Sequence, residues 1–162
     1  MRVGITGTPG TGKTTAVTDV DSPRPIVHLN EVLQQDAFVS GWDDERESAI
    51  ADLAALDAWL ANQPENVVVE SHLAHHLSVD YVIVLRCDPD TLRSRLSARY
   101  ELPEDHPKVS ENVEAEALDL IFSEAVTNHG IDRVTQVDTT DALPSGVATE
   151  IERIIAEETS ST

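Results

Sequence analysis

The chain opens MRVGITGTPGTGKTT (1–15), and the reading of this stretch decides the fold. A short apolar strand runs into a glycine-rich turn and then into the start of a helix. Every position of the pattern G-x-x-x-x-G-K-[ST] is filled, by Gly7, Gly12, Lys13 and Thr14. Glycines let successive backbone N–H groups curl around phosphate oxygens, and the positive end of the following helix adds to that field. Lys13 is then placed for the β and γ phosphates and the Thr14 hydroxyl for Mg²⁺. Gly10, Thr11, Gly12, Lys13, Thr14 and Thr15 are therefore the candidate triphosphate-binding set. A glycine-rich turn that binds nothing would not need all of these residue types together.

Working outward, PIVHL (25–29) reads as a second short strand, while NVVVE (66–70) and DYVIVLR (80–86) are apolar runs of strand length. Such runs suit strands buried on both faces of a parallel sheet. Residues 30–62 carry Ile50, Leu53, Leu56 and Leu60 at helical spacing, which predicts a helical segment there. Helices are also expected over 89–99, 108–127 and 144–157, with a fifth strand at 133–138. Strands alternating with helices imply an α/β fold: a five-stranded parallel sheet with helices on both faces and ligands at the carboxyl ends of the strands. At 162 residues the chain is one domain's worth.

VVVESHLAHHL (67–77) has two readings. A strand ending in an acid is a form in which P-loop proteins hold the magnesium shell, so Glu70 is a candidate to act on the metal through water, with His72 beside the reacting phosphate. The alternative is a zinc site built from His72, His75 and His76. The first is favoured because HLAHHL is also simply read as a helical turn with Leu73 and Leu77 inward and His75 and His76 beyond the site.

The charge balance constrains partners. Thirty acidic residues against eleven basic give a net charge of −19, and the acids are scattered rather than gathered in a tail. Such a field disfavours an extended nucleic-acid-binding face. It fits a halophile's cytosol, where molar salt shortens the Debye length to about 3 Å. Five of the eleven cations, Arg86, Arg93, Arg95, Arg99 and Lys108, fall within 23 residues, which points to an anionic ligand there. No stretch approaches the roughly 18 apolar residues of a membrane span, and the first residues lack a signal-peptide pattern, so a cytoplasmic location without membrane contact is expected. A single cysteine, Cys87, leaves no internal disulfide framework and reads as a small buried residue at a strand end. No N-K-x-D segment is present to read guanine.

GITGTPGTGKTT (4–15), VVVESHLAHHL (67–77), VIVLRCDPDTLRSRLSARY (82–100) and KVSENVEAEALDLI (108–121) together resemble the small archaeal and nuclear adenylate kinases, the CINAP-type isoenzymes also linked to ribosome assembly. The similarity spans about 1–125 and resumes weakly at 137–151. What the resemblance implies is a single P-loop nucleoside monophosphate (NMP) kinase-like domain over 1–162, with a helical NMP-binding insert at about 30–63 and a short lid at about 99–108. It implies transfer of the ATP γ-phosphate to AMP with Mg²⁺, possible ATPase activity, and a ribosomal protein of the small subunit as a partner. An ATPase switch acting on such a partner is the alternative. Lys13, Arg95, Arg99 and His72 would be catalytic, Arg99, Lys108 and Asp138 would join the loop around ATP, and Thr14 and Glu70 would serve the metal. Where many relatives carry a basic residue for the AMP phosphate, this chain has Gln34 and Gln35, which leaves Gln34, Arg46 and Arg86 as AMP-site candidates. The lid start reads Arg99-Tyr100, without the usual intervening glycine and with Pro103 and Pro107 following.

The charge pattern makes a prediction about salt. Lowering KCl from molar to about 0.1 M lengthens the Debye length from roughly 3 to 10 Å and restores repulsion between neighbouring carboxylates. The melting temperature should fall accordingly; a value that is flat or higher at low salt would contradict the halophile reading.

Overall fold

The computed structural model describes residues 1–35, 38–45 and 48–161. Its main sheet has five parallel strands in the order β2-β5-β1-β6-β7. These are β1 (Val3–Gly7), β2 (Ile26–His28), β5 (Val68–Glu70), β6 (Tyr81–Arg86) and β7 (Val134–Asp138). β1 lies centrally, with Ile5 opposite both Glu70 of β5 and Ile83 of β6. Strands buried on both faces cannot alternate polar and apolar residues, which is why VGITG and YVIVLR read as continuous runs.

Alternate strand residues feed two cores. Val3, Ile5, Ile83 and Leu85 pack with α1 (Lys13–Thr18) and α7 (Pro144–Ser160), whose Val147, Ile151 and Ile154 face inward. Val67, Val69, Val82 and Val84 pack on the other face with Leu56 and Leu60 of α3 (Leu53–Ala61) and Ala125 of α6 (Leu120–His129). A third cluster joins Cys87 to Leu92 and Leu96 of α4 (Pro89–Tyr100) and Val109 and Val113 of α5 (Pro107–Ala117). Cys87 is buried.

Two helical expectations are corrected. The segment between β2 and β5 is not wholly helical: after the four-residue α2 (Leu29–Val32) it forms an antiparallel hairpin of β3 (Val39–Asp43) and β4 (Ser48–Ala51), and only then α3. The Asp52 carboxylate accepts from the Ala55 N–H and caps α3, so the helix begins at Leu53. Ile50, which matches the helical spacing, lies on a strand instead. The expected helix over 108–127 is two helices, α5 and α6, divided at Asp119, whose φ is +53°. The Arg86 guanidinium holds that break by donating to the Glu116 carbonyl at the end of α5 and to the Asp119 carboxylate.

Glu101, just past α4, also has a left-handed φ of +54° and is exposed. A side chain there carries a steric cost that glycine lacks. Glu101→Gly is therefore expected to raise stability by about 0.5–1 kcal/mol, measured by denaturant unfolding; an unchanged or lowered midpoint would count against strain at this cap.

Candidate active site

The carboxyl ends of β1 and β5 meet the start of α1 and the side of α4 in one cleft of about 490 Å³. Gly10 and Gly12 have φ near +90°, which bends the loop after β1 back on itself. At Gly10 a Cβ would lie 2.8 Å from Leu96 and 2.9 Å from Leu92, so the loop packs its backbone directly on α4. Thr11 Oγ1 donates to the Thr8 carbonyl at 2.8 Å and Lys13 Nζ to the carbonyls of Gly7 (2.8 Å) and Thr8 (3.1 Å). Burial pushes the Lys13 ammonium down to about 8, against the pull of Glu70 and with the push of Arg99.

Glu70 ends β5 at 3% exposure. Its two oxygens are held apart: Oε2 is 2.9 Å from His28 Nδ1 across the β2/β5 pair, and Oε1 accepts from the Thr14 hydroxyl at 3.4 Å. Hydroxyl and carboxylate oxygens side by side make a hard donor pair that fits Mg²⁺ with several of its waters retained. His72, two residues on, is pushed down to about 4, chiefly by burial and then by Lys13, so it is neutral near pH 7. It lines both this cleft and an adjacent apolar recess of about 310 Å³ walled by Leu33, Val39, Ile50, Leu53, Leu73 and His76.

Gly10, Gly12, Lys13, Thr14, Thr15, Glu70, His72, Arg95 and Arg99 are thus brought together, with Asn30 and Tyr100 beside them. The last two were missed: neither type signals phosphate chemistry, and only position, after β2 and at the end of α4, could have flagged them. Thr11 turns instead toward a second recess of about 220 Å³ lined by Arg95, Thr139 and Pro144. Arg95 is tied there, donating to the carbonyls of Thr139 and Thr140 at 3.0 Å each. Arg99 is exposed, and among the described residues no hydrogen bond or ion pair holds it.

Other candidates lie outside the cleft. Arg86 pairs with Glu116 and Asp119 and, like Asp138, borders a separate depression with Cys87 and Gln136. Lys108 Nζ stands 4.3 Å from the centre of the Tyr100 ring, Gln34 is exposed just after α2, and Arg46 lies outside the described residues. The expected helical turn is a 3-10 turn (Ala74–His76) outside the loop cleft; it buries His75, 1% exposed, as well as Leu77.

Residues 3–119 match the family model described as AAA domain. Over 155 residues the chain is 50% identical to a protein of Natronomonas pharaonis named "Putative adenylate kinase", covering 96% of this chain and 90% of that one. A protein of the same name from Halobacterium salinarum is 47% identical over 156 residues, again 96% and 90%. This chain belongs to that archaeal adenylate kinase family. A like-named protein of Methanosarcina acetivorans, 39% identical over 166 residues, covers 96% and 86%. Among solved structures, shikimate kinase from Acinetobacter baumannii in complex with shikimate matches with a TM-score of 0.62 at 13% identity, covering 97% and 93%. The YorR protein of Bacillus subtilis in complex with phosphorylated GDP matches at 0.60 and 15%, covering 98% and 97%. At that identity the two share the P-loop kinase fold. Among the described residues no helix is long and apolar enough to cross a membrane.

The buried ammonium gives a pH prediction. A lysine with a folded value near 8 and an unfolded value of 10.5 binds fewer protons folded than unfolded between those limits, so stability rises with pH there. Ligand-free protein should therefore gain stability from pH 8 to 10.5 relative to Lys13→Met. Parallel stability curves for the two proteins would refute a depressed Lys13.

Proposed function

We propose that the chain is an ATP:AMP phosphotransferase, ATP + AMP = 2 ADP, acting with Mg²⁺ in a cytosol of high salt. The observation that carries the proposal is that the loop cleft and the insert's apolar recess share one wall, His72, so two nucleotides can meet phosphate to phosphate there. Phosphoryl transfer asks mainly for positioning and charge neutralisation. In this reading Gly10 to Thr15 cradle the ATP phosphates and Lys13 neutralises the β and γ oxygens. Mg²⁺ bound at Thr14, with Glu70 acting through water, would supply further charge neutralisation. Arg99, which no hydrogen bond or ion pair holds among the described residues, closes on the transferring group, while Arg95, anchored on Thr139 and Thr140, faces both the cleft and the recess of about 220 Å³ that would take adenine. Lys108, beside Tyr100 at the lid, and Asp138, in the neighbouring depression with Arg86, Cys87 and Gln136, are second candidates. Neutral His72 orients the acceptor phosphate by hydrogen bonding rather than by charge.

For the acceptor, the recess lined by Leu33, Ile50 and Leu53 suits a base ring, and Gln34, Arg46 or Arg86 is proposed for its phosphate. Arg86 would first have to leave Glu116 and Asp119. A second reading, an ATPase switch acting on a small-subunit ribosomal protein, is favoured by the lid. Residues 101–106 are tied back to α4 by Ser97 Oγ donating to the Leu102 carbonyl and by Arg93 donating to the Glu104 carbonyl, which limits closure. A lid that closes incompletely admits water to the phosphate.

An acceptor screen at molar KCl with ATP, Mg²⁺ and each monophosphate decides between them. AMP should give ADP at roughly 1 to 100 per second, Lys13→Ala should abolish it without unfolding, and Glu70→Gln should lower turnover about 10- to 100-fold. ATP hydrolysis of equal rate with and without AMP, and no ADP from AMP, would favour the switch.

A further inference from the structure

The second half of VVVESHLAHHL is not used by the cleft. The 3-10 turn at Ala74–His76 points both histidines toward α6. His75 Nε2 lies 2.7 Å and His76 Nε2 3.3 Å from the same oxygen, Oε2 of Glu124. We propose that His75, His76 and Glu124 form a site for Zn²⁺, distinct from the nucleotide's magnesium; His76 also walls the apolar recess, but nothing in the zinc geometry rests on what that recess binds.

The chemistry of the donors selects the metal. Two imidazoles and one carboxylate suit zinc, with a fourth, open position; Mg²⁺ prefers an octahedron of oxygens. The three donor atoms all lie within 4.8 Å of one another. Tetrahedral zinc with bonds of about 2.0–2.2 Å separates its ligands by about 3.4 Å. The His76–Glu124 spacing already meets this. The His75–Glu124 contact must open by roughly 0.7 Å to reach it, which the 36%-exposed Glu124 side chain can do by rotation.

The surroundings hold the ligands as a metal site needs. His75 Nδ1 is 2.9 Å from the buried Thr6 hydroxyl, which can accept the Nδ1–H and leave Nε2 free to bind the ion. The His75 carbonyl accepts from both Asn128 Nδ2 (3.1 Å) and His129 Nε2 (2.8 Å), so α6 grips the turn from two side chains beyond Glu124 itself. His75 is buried, whereas His76 is 28% exposed, giving the ion an entry path and room for a water. Two neutral imidazoles and one carboxylate leave a bound Zn²⁺ with a net charge of +1, favourable in a chain of −19. Because Thr6 sits on β1 just before the loop, bound zinc would clamp the turn after β5, α6 and β1 together.

The test uses tag-free full-length protein stripped with a chelator and titrated with zinc sulfate alone, in excess MgCl₂. One Zn²⁺ per chain should bind with sub-micromolar affinity and raise the melting temperature. Glu124→Ala and His76→Gln, at partly exposed positions where folding is not at stake, should each weaken binding by at least about 100-fold and remove the thermal shift. Absence of tight zinc binding to the wild type, or equal binding by wild type and both variants, would overturn the site and leave the three side chains as a plain hydrogen-bonded cluster.

Discussion

Everything in the cleft depends on β1 lying parallel between β5 and β6, with Ile5 level with Glu70 on one side and Ile83 on the other. That register ends β1 beside the buried acid that closes β5, so the loop that leaves Gly7 and returns at Lys13 brings the Thr14 hydroxyl to the Glu70 carboxylate. Side chains alternate faces along a strand, so a slip of one residue in β5 would turn Glu70 to the other face of the sheet. The valine and isoleucine runs that exclude water from the sheet therefore also aim its one buried strand-end acid.

The second constraint is electrostatic. Lys13 is buried with, among the described residues, only carbonyl oxygens as hydrogen-bond partners, and its charge is costly there until an anion arrives. Nearby cations add to the demand: among the described residues Arg99 is unpaired and Arg95 is held only by carbonyls. On a surface so crowded with carboxylates, this is where a polyanion gains most. The cleft stores unfavourable charge in the free protein that a bound polyanion would relieve.

Much of this was legible in the primary structure because its signals are local. The loop motif is contiguous, the strands are apolar runs, and Glu70 and His72 follow directly from a strand end. What escaped depends on residues far apart in the chain. Ile50, Leu53, Leu56 and Leu60 keep helical spacing across a boundary that only the Asp52 cap reveals. The break at Asp119 is held by Arg86, more than thirty residues earlier, and the same contacts engage a guanidinium that looked available for phosphate. VVVESHLAHHL seemed to demand a choice between phosphate site and metal site; the tight turn after Ser71 sends its two halves to different neighbours, and Glu124, the carboxylate beside the histidines, comes from another helix.

The hairpin between β2 and α3 carries a practical consequence. Both tryptophans of the chain belong to the hairpin and the helix that follows it: Trp42 projects from β3 at 59% exposure, and Trp59 on α3 stands edge-on to Phe38 with ring centres 6.4 Å apart. The five-stranded sheet has none. Indole emission from the native protein therefore originates entirely between β2 and β5, and the molecule carries a built-in optical probe of that stretch, with no label needed and no indole background from the five-stranded sheet.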